Sequence, residues 1–287
     1  VDRPKRSRLM KAVLLVGGAT VLLALWLVAV WPPPLWYRWF WPHETAFMAM
    51  RARQADSLSR HPQRIGEARN GKLARRYTPV PLEAMAKGLP QAVLIAEDHR
   101  FFEHGGIDLT AIRTALGYRR VGFQWSDARD RREMWRVVAQ TWERRDQVRG
   151  ASTITQQLAK NLYLSPSRNP LRKAKEALTA YRLEWAMSKT RLLELYLNVV
   201  EFGPETWGVE AASQAYFDRS AAELSNSQAA ALAGTLPFPL RSNPGYRPGR
   251  MRWRQQLVLR RMRGEVIEIP ADGQASTKEA EDTVPDR

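Results

Sequence analysis

The chain has 287 residues, 45 Lys+Arg against 29 Asp+Glu, and a formal net charge of +16; at 44% apolar content it can bury the core of one large or two small domains. It contains no cysteine, which excludes disulfide scaffolds, thiolate metal sites and cysteine nucleophiles, and its four histidines show no HExxH spacing for zinc. So basic a chain usually meets phosphate, as nucleic acid, anionic lipid or a phosphorylated substrate.

Residues 1–10 carry Arg3, Lys5, Arg6 and Arg8, and residues 10–31 read MKAVLLVGGATVLLALWLVAVW, with no charge after Lys11. That run has the length a helix needs to cross ~30 Å of hydrocarbon, so a transmembrane helix is expected at 11–31. A cleaved signal peptide is the alternative, but the run exceeds the usual ~7–15 apolar residues and no small-x-small site precedes Trp31. Trp31, Trp36, Tyr37, Trp39, Phe40 and Trp41 follow as an interfacial aromatic belt. The basic flank places the N-terminus in the cytoplasm and everything from about Pro32 outside it, at the cytoplasmic (inner) membrane. Nucleic acid is thereby excluded as a partner, and the phosphate partner of the chain moves towards lipid.

Residues 32–75 read as a stiff exit (WPPPLWYRWFWP), then a connecting helix and membrane-proximal linker. Residues 76–263 are Ala- and Leu-rich at helical spacing with Gly and Pro punctuation, which predicts a mostly α domain. Residues 264–287 form an acidic, aperiodic tail. Between 117 and 149 nine arginines face five acids, with Trp125, Trp135 and Trp142 interleaved. An exposed amphipathic helix and loop, or a segment resting on anionic lipid, fits that pattern.

Four stretches carry candidate chemistry. In AEDHRFFEHGGID (96–108) an apolar run meets Glu97 and Asp98, then His104 and two glycines, with Asp108 as an N-cap for the next helix. A carboxylate at the end of an apolar run is partly desolvated and suits a general base, although a helix-end surface acid has the same local sequence. In RGASTITQQLAKNLYL (149–164) Thr153 and Gln156 match a capping box, and Ile154, Leu158 and Leu162 form a core stripe. The remaining polar positions, Thr153, Gln156, Gln157, Lys160 and Asn161, make a ladder of amides and one cation suited to sugar hydroxyls and a phosphate.

In LRKAKEALTAYRLEWAMSKTRLLELYLNVVEFG (171–203), Leu171, Ala174, Leu178, Tyr181 and Trp185 form one apolar stripe. Arg172, Glu176, Ala180, Leu183 and Met187 form a second face, which predicts Glu176 buried against Arg172. Ser188 or Thr190 caps the following helix, which ends at Asn198. The fourth stretch, AAALAGTLPFPLRSNP (229–244), ends a helix in a Pro-rich loop carrying Arg241.

Together these residues resemble the peptidoglycan glycosyltransferases, in particular the monofunctional biosynthetic transglycosylases. EDHRFFEHGGID, GASTITQQLAKN, RKAKE, RLLELYLN with NVVEFG, and GVEAASQAYF followed by LAGTLPFPLRSNP match the family's motifs in order, over roughly residues 76–262. The resemblance implies a mostly α, lysozyme-like, two-lobed fold, with a head lobe carrying the carboxylates and a jaw lobe touching the membrane. Glu97 and Glu176 look like its two glutamates, and Asp98, Gln157, Lys160, Arg172 and Lys173 look like donor-site residues. Thr153, Gln156, Asn161, Asn198 and Arg241 complete the candidate substrate-binding set.

The implied reaction polymerises lipid II into linear glycan strands, inverting the donor's anomeric carbon to make β-1,4 bonds. Lipid II, the growing lipid-linked glycan and membrane lipids are the implied partners, with cell-wall synthesis or division proteins as candidates. No cofactor is required by the sequence; Glu176 is a candidate ligand for a divalent cation, Mg or Mn, at the pyrophosphate. The stretch of about 116–148 departs from the family by being longer, and no Ser-x-x-Lys transpeptidase signature occurs. A lytic glycosidase on the same fold or a non-enzymatic anchored scaffold are the rival readings. Neither accounts for the cations beside the second glutamate together with the amide ladder.

Overall fold

The structure, a computed structural model, describes residues 3–59, 75–115, 124, 126–143, 152–163 and 170–267. The chain is mostly helical, as its composition predicts: α1 (Arg3–Val28), α2 (Ala46–Ser59), α3 (Gly88–Glu97), α4 (Leu109–Ala115), α5 (Ala128–Glu143), α6 (Ile154–Tyr163), α7 (Pro170–Ala186), α8 (Lys189–Val199), α9 (Val209–Phe217), α10 (Asn226–Thr235) and α11 (Gly249–Met262). Short 3-10 turns connect them at Pro34–Arg38, Leu82–Ala84, Phe101–Glu103 and Ala221–Glu223.

Local sequence sets several helix starts. Thr153 and Gln156 form the expected capping box of α6: Gln156 N–H donates to Thr153 Oγ1 at 3.2 Å and Thr153 N–H to Gln156 Oε1 at 3.1 Å. Ser188 rather than Thr190 caps α8, accepting from Arg191 N–H, and Asp108 caps α4 through Ala111 N–H at 2.9 Å. Gly106, at φ +87°, makes the reversal before Asp108, where a side chain would press on the Ala180 backbone at 3.3 Å.

The core is built around α10, whose residues 229–235 are all buried and mostly alanine, so that α3 and α11 approach it closely. Gly234 lets α11 close on α10: a Cβ there would lie 2.8 Å from the Met251 carbonyl. That approach brings Arg254, one turn beyond Met251, to the C-terminal end of α3. On the other side α6 packs between α7, α8 and α2.

The sequence pattern does not anticipate a small three-stranded sheet of β1 (Arg76–Tyr77), β2 (Glu201–Gly203) and β3 (Thr206–Trp207). Its order is β1-β3-β2, with β1 parallel to β3 (Arg76 opposite Thr206) and β2 antiparallel to it. Strands of two or three residues are too short to show a period of two.

The connecting helix expected within 32–75 is α2, and the stretch packs on the domain: Tyr37 and Met48 are buried, and Arg191 of α8 donates through Nε to the Tyr37 carbonyl at 2.9 Å while stacking 4.3 Å over the Trp41 ring. On α7 the second face is the core face, with Glu176, Ala180, Leu183 and Met187 buried, whereas Leu171, Tyr181 and Trp185 of the first stripe point outward. Finally, among the described residues no helix is long and apolar enough to cross a membrane. In α1 the uncharged part, from Ala12 to Val28, is roughly 17 residues or ~26 Å, against ~30 Å of hydrocarbon. Part of the 60–75 linker expectation, most of the Arg/Trp stretch outside α5, and the tail beyond 267 lie outside the described residues.

Candidate active site

Glu97 is the last residue of α3, and burial rather than a neighbouring charge dominates its environment. Desolvation pushes its pKa up from the ordinary carboxylate range; Arg254, a hydrogen bond from Gln157 and the charge of Lys160 oppose the rise without cancelling it. Gln157 of α6 donates through Nε2 to Glu97 Oε2 at 3.0 Å, and Arg254 of α11 donates through Nη2 to Glu97 Oε1 at 3.2 Å. Arg254 is fully buried and also donates to the Ala96 carbonyl at 3.2 Å. The Gln157 carbonyl accepts from the Tyr196 hydroxyl of α8 at 2.9 Å. Four helices thus converge on one carboxylate that is poised to accept a proton.

Asp98 ends α3 and turns away from Glu97. Its Oδ2 accepts the Ile154 N–H at the start of α6 at 3.0 Å, and His104 Nε2 lies 3.0 Å from Oδ1. With Asp98 buried and both oxygens engaged, the structure corrects its reading as a donor ligand. It is the tie that holds the α6 N-terminus, and with it Gln157 and Lys160, against the end of α3.

Lys160, one turn beyond Gln157, is held in a largely buried setting that lowers its pKa. Glu176 and Glu97 attract its charge, whereas Lys173 and Arg172 repel it. Glu176 is buried on α7 as expected, paired with Arg172 at 2.8 Å and with Lys173, whose ammonium also reaches Ser152 Oγ at 3.1 Å. Both Glu176 oxygens are therefore occupied by cations, which does not fit a metal ion held there. Among the described residues no cluster of three or more His, Asp or Glu side chains is placed to bind one. Glu97 with Gln157, and Lys160 with Arg172, Lys173 and Glu176, are the predicted residues that the fold brings together.

The rest of the ladder does not join them. Thr153 and Gln156 are buried in the capping box, with Thr153 Oγ1 donating to the Gly106 carbonyl at 2.6 Å, and Asn161 is buried on α6. Helical spacing puts all five on one face, with 157 and 160 along its middle; Thr153, Gln156 and Asn161 are buried there while Gln157 and Lys160 keep part of their surface. Asn198 is fully buried, its amide spent on the Val80 N–H and carbonyl and the Glu194 carbonyl, each at 2.8 Å. Arg241 lies exposed on the turn after α10. These five have structural or peripheral places rather than a place beside Glu97.

Sequence reasoning missed Arg254 and Tyr196. The signal for Arg254 is a lone arginine on the buried stripe of α11, between Met251 and Val258, where an uncompensated charge demands a partner.

Comparison with known proteins agrees with this geometry. A family model described as transglycosylase matches residues 63–123 and 120–263, so the match divides inside the long stretch between the first two motifs. The biosynthetic peptidoglycan transglycosylase of Bordetella pertussis is 38% identical over 250 residues, covering 87% of this chain and 89% of its own. That of Thiobacillus denitrificans is 37% identical over 88% of this chain and 94% of its own, and that of Shewanella frigidimarina 46% over 58% and 63%. Motif order, the partly buried glutamate at the end of α3 and these likenesses place the chain in the transglycosylase family.

Proposed function

We propose that this chain polymerises lipid II, with Glu97 as the general base and Lys160, Arg172 and Lys173 as the cations that receive the departing pyrophosphate. The chain is a peptidoglycan glycosyltransferase of cell-wall synthesis, as its family and relatives indicate. The observation that carries the residue assignment is Glu97: a carboxylate that keeps 12% of its side-chain surface exposed, has a raised pKa, and is held in position by hydrogen bonds from Gln157 and Arg254.

In this reading the acceptor's 4-hydroxyl loses its proton to Glu97 as its oxygen attacks the donor's anomeric carbon. The bond from that carbon to the pyrophosphate oxygen breaks on the opposite face, which inverts the centre. Negative charge grows on the leaving oxygens, and cations aimed there stabilise the transition state more than the ground state. Each such contact is worth about 2–4 kcal/mol. Glu176, between Arg172 and Lys173, keeps two mutually repelling cations together. The fold is read as two lobes, a head around α3, α10 and α11 and a jaw towards the membrane.

The anchor is the run 11–31, uncharged after Lys11, of which α1 covers the part up to Val28. Its basic flank orients the N-terminus to the cytoplasm and the catalytic domain to the outside. The outward stripe of α7 and the exposed Trp31, Trp36, Trp39 and Phe40 support apposition to lipid, since α1 and the 34–38 turn both pack on α7.

The test is incubation of the purified full chain with lipid II and, separately, with finished glycan. Polymer from lipid II that disappears in Glu97→Gln supports the assignment. Fragments released from glycan would overturn it in favour of a hydrolase.

A further inference from the structure

Glu201 is a buried carboxylate near the site that the mechanism leaves unused. It stands on β2, immediately after α8, and burial raises its pKa. Its partner comes from far away in sequence: Arg51 of α2 donates through Nε and Nη2 to the same oxygen, at 3.2 and 2.9 Å. The charge of Lys160 also acts on Glu201. Both cations lie against the ring of Phe47, one turn before Arg51: its centroid is 5.0 Å from the Arg51 guanidinium carbon and 6.0 Å from Lys160 Nζ.

Two cations thus compete for one buried carboxylate beside an aromatic ring. In a site of low polarity an unpaired carboxylate and an unpaired ammonium attract strongly, and removing one partner of a buried pair leaves the other seeking a substitute. Among the described residues Lys160 makes no ion pair with Glu97, Glu176 or Glu201, each of which is held by an arginine.

We propose that Arg51 is a positioning residue: by holding Glu201 it keeps that carboxylate off Lys160 and leaves the ammonium available to the donor's phosphate. The membrane-proximal helix α2 is then part of the catalytic unit, and a shift of α2 would change how Lys160 meets its ligand. This rests on the assignment of Lys160 to the pyrophosphate.

The test is Arg51→Ala against the double variant Arg51→Ala/Glu201→Gln in the full chain, read by binding of undecaprenyl pyrophosphate in detergent micelles and by polymerisation of lipid II. Arg51→Ala should weaken binding about 10- to 100-fold, because Glu201 captures Lys160. The double variant should recover binding to within about threefold of wild type, since no carboxylate remains to compete. A merely structural pair would be rescued in the same way, so the pH–rate profile decides: capture of Lys160 by Glu201 moves the basic limb of Arg51→Ala to higher pH and the double variant restores it, whereas a basic limb unmoved in Arg51→Ala overturns the proposal. If the single variant does not fold, the double decides alone: near wild-type binding supports the proposal, and binding about tenfold weaker overturns it. A wild-type protein that polymerises lipid II while both variants are equally impaired overturns this inference and leaves the polymerase reading standing. Absence of polymer from wild type removes both.

Discussion

Gln157 donates to Glu97 at 3.0 Å while its carbonyl accepts from Tyr196 at 2.9 Å, so the amide is locked with its donor end towards the base. An amide can present either end to a carboxylate, and only a fixed partner on the other side decides which. Burial keeps the Tyr196 phenol protonated, its pKa raised well above 10.0, so it remains a donor at every working pH. The direction of the chain, from Tyr196 through Gln157 to Glu97, follows.

Replacing Tyr196 by Phe should release that lock. The amide then turns its carbonyl to Glu97 for part of the time, which disfavours the ionised base. The acidic limb of the pH–rate profile should move to higher pH, with about a 3- to 10-fold loss near neutrality that recovers as pH rises. A profile that drops uniformly at all pH values would show instead that Tyr196 only supports packing.

Arg254→Met should act in the same direction and more strongly. The guanidinium is the largest of the influences that hold the Glu97 pKa down against desolvation. Without it the base stays protonated to higher pH, and activity at neutrality should fall about 10- to 100-fold. Measuring kcat/KM across pH for the methionine and lysine variants separates this from simple misfolding, because Lys restores charge and should restore part of the limb.

The wild-type profile itself should be a bell narrower than free Glu and Lys side chains would give. Glu97 must be ionised, so activity rises as pH climbs through its raised pKa. Lys160 must be charged, so activity falls as pH climbs through its lowered one. Lys160→Arg should push the basic limb upward, since a guanidinium stays charged. A basic limb unmoved in that variant would assign it to another group.

Stability carries the same sign. A glutamate with a raised folded-state pKa adds stability that is fully present below its unfolded value of about 4.3 and is lost as pH rises through the folded value. Glu97→Gln cannot lose it. The melting temperature of the Gln variant, compared with wild type, should therefore improve from pH 4 to pH 8, while polymerisation is abolished throughout.

How much of this was legible in the sequence depends on distance along the chain. The Thr153/Gln156 cap, the Asp108 cap and the Glu176–Arg172 pair are local and were readable, because helical spacing alone puts the partners together. Asp98 was misread because its partner, the Ile154 N–H, is 56 residues away. Asn198 was misread for the same reason: a buried amide that closes on Val80 looks, in one dimension, like a polar residue free for substrate. On α7 both faces are apolar, and it is packing against α6 that leaves the Tyr181/Trp185 stripe outside. Arg51 with Glu201, 150 residues apart, could not be paired by pattern at all.

The last prediction concerns the aromatic and basic surfaces that α7 and α5 expose. Tyr181 and Trp185 are 63% and 86% exposed on α7, and Trp135 on α5 is 69% exposed beside Arg129, Arg131, Arg132 and Arg136. The two surfaces should meet a bilayer by different physics. Aromatic side chains at headgroup level gain by leaving water, which salt does not screen, whereas each Arg near an anionic surface contributes up to ~1 kcal/mol that falls within a Debye length. Protein lacking residues 1–31 should therefore bind phosphatidylglycerol vesicles. Tyr181→Ser/Trp185→Ser should weaken that binding similarly at low salt and at ~0.5 M salt, where the Debye length is only a few Å. Replacing the four arginines by Gln should weaken it mainly at low salt. Sedimentation with vesicles at the two salt concentrations separates the arms. If neither variant differs from wild type, both surfaces face water and the apposition of this domain to lipid rests on the anchor alone.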